Sequence, residues 1–145
     1  MSGQRGRAVW RDLARAQHFI CNPRVAAQVV ADADIGVTDV VVEVGAGSGV
    51  LTDALADRAG AVLALEIDTR LVPALTRRYR DRAHVVVIGA DAFAIPLPAS
   101  PFRVVAIPPF NRTSALLRRL LGDLDSGLVR VDLIVQWQVA RARAL

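Results

Sequence analysis

A chain of 145 residues, 53% hydrophobic and 22% charged, with 10 Gly and 7 Pro scattered rather than massed, has the composition of one small globular domain and excludes a disordered or collagen-like polymer. Its net charge of +4 is carried by arginine alone, because none of the 18 basic residues is Lys; guanidinium forks suit phosphate, so a nucleic-acid partner is one reading and coding bias in an Ala- and Val-rich chain is the other. No apolar run nears the roughly 20 residues that cross a bilayer, no leader-like run is seen, and Cys21 is the sole cysteine, so neither membrane insertion nor an intrachain disulfide is expected and the chain reads as cytoplasmic.

Residues 1–16 carry Arg5, Arg7, Arg11 and Arg15 with little apolar periodicity, a basic arm expected to be mobile when unbound and to precede a domain spanning 17–145. Cys21 reads as a small apolar residue rather than a nucleophile. From Asn22 to Ala33, Val25, Ala26, Val29 and Val30 recur at helical spacing, with Pro23 suited to a first turn. Val40–Val44, closed by Gly45, has the apolar run of a strand buried on both faces. Leu51, Ala54 and Leu55 mark the next helix, with Gly60 expected at its end in a positive-φ conformation.

Strand and helix then alternate: a strand over 61–65, a helix over 69–80 in which Pro73 costs a hydrogen bond unless the helix starts late, and strands over 84–88 and 103–107. A helix over 114–121, stopped by Gly122, leads to a strand over 132–136. This order predicts a doubly wound, mostly parallel α/β sheet with helices on both faces. Leu133, Ile134, Val135 and Trp137 have no following element to cover them, so the sheet reads as stopping after its fifth strand, as in a fragment of a longer protein. No metal-ligand spacing is seen.

The chemistry concentrates at strand ends. Glu43-Val44-Gly45-Ala46-Gly47-Ser48-Gly49 links the first strand to the next helix, where Gly45 and Gly47 permit a tight turn and let a ligand lie against the backbone. The alternation GxGxG is not the GxGxxG of a dinucleotide fingerprint. A carboxylate at Glu43 disfavours a pyrophosphate and suits a cationic end, an α-ammonium or sulfonium, both present in S-adenosylmethionine. Glu66 ends the second strand, where an acid accepts hydrogen bonds from ribose hydroxyls; the alternative is a solvated acid capping the next helix. Asp91, after the third strand, either reaches an adenine amine or bonds its own backbone in a turn.

Together with Gln17-His18-Phe19-Ile20 and the segment Ile107-Pro108-Pro109-Phe110, these features make the chain resemble the ribosomal RNA adenine N6-methyltransferases, including the Erm macrolide-resistance enzymes, from about Gln17 to the end. The resemblance implies an S-adenosylmethionine-dependent enzyme acting on ribosomal RNA, of the large-subunit type on the strength of the double proline. It assigns cofactor contacts to Gln17, His18, Phe19, Ile20, Glu43, Gly45, Ala46, Gly47 and Gly49, and also to Glu66, Ile67, Asp91, Ala92 and Ile107. It assigns the target-base pocket to Ile107, Pro108, Pro109 and Phe110, with Phe110 stacking on an extruded base. Arg5, Arg7, Arg11, Arg15, Arg112, Arg118 and Arg119 are candidate phosphate contacts, or solvated surface.

One departure falls on the chemistry, since Ile107 stands where the family carries Asn. An exocyclic adenine amine is a poor nucleophile, and Ile107 offers no acceptor to its N–H groups; losing one preorganised polar contact costs about 10²–10³ in rate. Impaired methylation is therefore expected. A cofactor- or RNA-binding module without turnover is the second reading, and a nicotinamide oxidoreductase the third.

Overall fold

A computed structural model describes residues 22–108 and 110–135. The expectations for the arm arginines, Gln17 to Ile20, Cys21, Pro109, Trp137 and the Phe110 side chain lie outside what is described. Five strands, β1 (Val40–Val44), β2 (Ala61–Glu66), β3 (Val85–Gly89), β4 (Phe102–Ala106) and β5 (Leu128–Leu133), form one sheet in the order β3-β2-β1-β4-β5. Every pairing is parallel. The chain thus leaves β1 toward β2 and β3 and then crosses back to β4 and β5, and the reversal opens a crevice between the carboxyl ends of β1 and β4.

The alternation of side chains across the sheet builds two cores. On one face Val41, Val62, Ala64 and Val105 pack under α1 (Pro23–Asp32), α2 (Val50–Ala56) and α3 (Val72–Arg78), through Ala26, Val30, Leu51, Leu55 and Leu75. On the other, Val42, Leu65, Phe102 and Val104 pack under α4 (Thr113–Leu121) through Leu116 and Leu120. Asn22 caps α1, its side-chain oxygen accepting from the backbone N–H of Arg24 at 3.0 Å. α3 begins at Val72, which puts Pro73 in the first turn, where its missing N–H costs nothing.

Two expectations need correcting. Gly60 is not in the positive-φ region, which among glycines holds Gly45, Gly47 and Gly49; it is required because a Cβ there would stand 2.3 Å from the Val37 carbonyl oxygen. The fifth strand spans Leu128–Leu133, earlier than the apolar run at 132–136 indicates. It lies at the sheet edge, where half-buried residues suffice, and Asp132 belongs in it because its carboxylate meets Arg103 of β4.

Candidate functional site

Register alone brings the candidate residues to one edge. Val44 lies opposite both Leu65 and Ala106, and Glu66 opposite Gly89. The glycine loop, Glu66, the segment after β3 and Ile107 therefore emerge side by side. The Leu65 carbonyl accepts from the N–H groups of Gly45 (2.9 Å) and Ala46 (3.0 Å), folding the loop over the end of β2. Gly45 adopts φ +86°, and nothing stands within 4 Å of where its Cβ would be. A turn that only glycine adopts readily, facing open space, is a cradle for a ligand pressed against backbone.

Glu66 is 6% exposed and staples this loop: one carboxylate oxygen accepts from the Gly47 N–H at 2.7 Å, the other from the Asp68 N–H at 3.1 Å. Each oxygen retains a second lone pair for a hydroxyl donor. Ile67, beside it, is 64% exposed, an apolar surface at the rim. Asp91 accepts from the Phe93 N–H at 2.9 Å through Oδ1, the turn-forming alternative, while Oδ2 has no partner among the described residues. Ala92 is buried.

Two expected ligand contacts are corrected. Glu43 and Ala46 are both 0% exposed. Glu43 shares the face of Val41, so strand parity turns its carboxylate under α2, where Thr52 Oγ1 donates to Oε2 at 2.5 Å and Oε1 is buried without a partner. Burial pushes the carboxyl up to about 8, against the donation from Thr52 and aided by the charges of Glu66 and Asp53. It therefore carries a proton near neutrality rather than a charge offered to a cationic ligand. An unfolded glutamate ionises near 4.5 and the folded one near 8, so the stability from this protonated group is full below the lower value and is lost as pH rises through the upper. Glu43→Gln is expected to flatten that decline and leave the variant more stable than the parent at pH above 8; thermal melts of both chains from acid to alkaline pH check it.

One positioning contact is not legible from the motif. Tyr79, at the end of α3 and 3% exposed, donates to the Gly49 carbonyl at 2.8 Å and lies 2.7 Å from Asp53 Oδ1, while Arg78 pairs with Asp53 and reaches the Ser48 carbonyl. Burial and Asp53 hold the phenol protonated. A polar tip on an apolar helix face, four residues after Leu75, was the available signal that a partner awaited it. Tyr79→Phe is expected to lower stability by about 1 kcal/mol, the net worth of a hydrogen bond, and to loosen the glycine loop, read as faster amide exchange at Gly47 and Gly49.

Ile107 is half-buried and packs against the α1–α3 core, and Pro108 is buried. The 3-10 turn Phe110–Arg112 follows directly. Of the candidate phosphate contacts described, Arg119 donates to the Ile95 carbonyl and pairs with Asp123, and Arg118 bonds the Ser114 carbonyl; Arg112 has no such partner. Among the described residues no group of three or more His, Cys, Asp or Glu gathers to hold a metal, and no helix is long and apolar enough to cross a membrane.

Comparison with known proteins shows the family and the fold. The family model described as ribosomal RNA adenine dimethylase matches residues 14–144. A ribosomal RNA small subunit methyltransferase A of Prochlorococcus marinus is 40% identical over 140 residues, covering 90% of this chain and 50% of that one. An rRNA adenine N-6-methyltransferase of Bacillus licheniformis is 34% identical over 125 residues, covering 86% and 44%. The crystal structure of the 23S rRNA methyltransferase ErmE superposes with a TM-score of 0.77 at 30% identity, covering 84% of this chain and 49% of that one. The chain spans about half the length of the curated relatives it matches.

Proposed function

Because the chain belongs to the ribosomal RNA adenine dimethylase family, we propose that it binds S-adenosylmethionine at the carboxyl edge of β1, β2 and β3 and serves methyl transfer to N6 of an adenine in ribosomal RNA. Family and fold are those of S-adenosylmethionine-dependent methyltransferases. The observation that carries the reading is the cradle: Gly45 at φ +86° with open space at its Cβ position, beside a loop stapled to buried Glu66.

When bound, the cofactor supplies an electrophilic methyl on a sulfonium sulfur. This chain's residues bind and orient. Gly45 and Gly47 let the ligand approach the backbone, the free lone pairs of Glu66 accept ribose hydroxyls, Ile67 covers an adenine face, and Asp91 Oδ2 accepts from the adenine amine. The family resemblance assigns the methionine part of the cofactor to Gln17, His18, Phe19 and Ile20, and the target pocket to Pro108, Pro109 and Phe110. Positioning of this kind supplies most of the acceleration in such a transfer. The target is taken as large-subunit RNA on the double proline and the likeness to ErmE, which carries macrolide resistance and a cytoplasmic site of action with it.

A module that binds cofactor or RNA without turnover is the second reading, favoured by the half-buried, acceptor-less Ile107. Titration calorimetry tests the shared premise. S-adenosylmethionine and its demethylated product are expected to bind and NAD is not, and Glu66→Ala is expected to weaken both nucleosides by about a hundredfold, since it removes charge-assisted acceptors and frees the loop. Tight NAD binding with no response to the sulfonium compound would end the assignment.

A further inference from the structure

Most described arginines are neutralised by an aspartate, as Arg70, Arg78, Arg103 and Arg119 are. Arg112 is exposed and has neither an ion pair nor a hydrogen bond among the described residues. It is nonetheless fixed in place, its guanidinium carbon lying 4.7 Å from the centroid of the Phe93 ring. Phe93 is held in turn by the Asp91 carboxylate, which accepts its N–H at 2.9 Å, and by packing against the core under α4. Arg119 ties the same loop to α4 through the Ile95 carbonyl at 2.8 Å. The loop after β3 and the turn after β4 thus form one unit at the carboxyl edge, with Arg112 on the turn that follows the target motif.

A guanidinium whose carbon lies over an aromatic ring still has N–H donors to offer, and no described residue accepts from those of Arg112. Free guanidinium donors are what bidentate capture of a phosphate requires. The geometry points to Arg112, seated on Phe93, as a binding site for a backbone phosphate of single-stranded RNA beside the target adenine. This contact rests on the ribosomal RNA reading of the same site and names the group that grips the substrate there.

The test uses the 145-residue chain and a labelled RNA hairpin with an adenine-bearing loop, its affinity followed by fluorescence anisotropy across a range of salt. Arg112→Gln is expected to weaken binding about tenfold at low salt and to make the log–log salt dependence shallower by about 0.7, the signature of one single-strand phosphate contact. Arg112→Lys keeps the slope and recovers only part of the affinity, because an ammonium has no fork. Phe93→Leu weakens binding with the slope retained. Arg58→Gln, another exposed arginine, on the segment after α2 and remote from the crevice, changes neither, and inorganic phosphate at matched ionic strength does not displace the RNA. An unchanged slope in Arg112→Gln, or an equal change in Arg58→Gln, overturns the site. Calorimetry with S-adenosylhomocysteine on each variant reports the fold and the cofactor reading separately: nucleoside binding without any RNA binding by the parent overturns the Arg112 contact alone, whereas an Arg112-dependent slope without nucleoside binding overturns the cofactor reading and leaves this one standing.

Discussion

Ile107→Asn is expected to raise methyl transfer to ribosomal RNA by about 10²–10³-fold, the usual worth of one preorganised polar contact to a transition state. Ile107 follows the last residue of β4, next to the crevice where sheet order reverses, and its side chain is half-buried against the α1–α3 core. Nothing on it accepts a hydrogen bond. The amine of adenine donates its lone pair into the ring, and an amide oxygen at this position, with the Pro108 carbonyl, holds its two N–H groups so that the nitrogen becomes pyramidal and nucleophilic. The substitution has a cost, because an amide replaces a packed aliphatic group, and a stability loss of about 1 kcal/mol is expected from it. Tritium transfer from the labelled methyl donor to ribosomal RNA, measured for both chains, decides the matter. Equal, robust transfer by the two, or no gain in the Asn variant while nucleoside affinity is kept, refutes the pocket as described.

Arg103→Leu is expected to destabilise the fold by about 3 kcal/mol, roughly a hundredfold in the folded-to-unfolded ratio. Arg103 is 8% exposed in β4, between Phe102 and Val104. Its guanidinium donates to the Ala33 carbonyl, to the Asp34 carbonyl at 3.0 Å, to Asp39 at 3.2 Å and to Asp132 at 3.3 Å, joining the end of α1, the approach to β1 and the edge strand β5. Removal leaves Asp39 without a cation and the Ala33 and Asp34 carbonyls without this donor, while Asp132 keeps Arg130. Both aspartates keep some exposure, which places the loss at the lower end of the range for broken buried pairs. Lys in its place has one ammonium for four acceptors on three elements and is expected to recover less than half. Adding Asp39→Asn to Arg103→Leu is expected to return part of the loss, since Asp39 is then the carboxylate left without a cation, whereas Asp132→Asn is expected to return none because Asp132 keeps Arg130. Urea denaturation of the series checks this, and a loss under 1 kcal/mol for Arg103→Leu would show the network to be idle.

Ile107 is placed by the motif it opens, whereas Arg103 is a residue whose neighbours in sequence say little about it. Arg103 sits in an apolar run, and only the parallel registry of β4 with β1 and β5 shows that its acceptors come from residues 33, 34, 39 and 132. Glu43 reads from sequence as a charge beside a ligand turn. The side-chain alternation of β1 was legible in principle, but the helix that covers that face, and Thr52 on it, were not. The edge strand was placed four residues late at its start because Arg130 interrupts the apolar pattern, while the structure pairs Arg130 with Asp132 within the strand.

What the sequence determined by itself is local: where backbone turns in the 45–49 loop, which runs are the first four strands, and which acids and prolines stand at their ends. These depend on steric limits and periodicities that act over a few residues. The tertiary structure alone decided which of those groups keep their charge and their donors free. Burial neutralises Glu43, the loop claims two lone pairs of Glu66, Asp39 and Asp132 claim Arg103, and Phe93 fixes Arg112 while leaving its fork open. Protonation and partner choice depend on desolvation and on contacts between residues far apart in the chain, so they become definite only when the sheet is assembled.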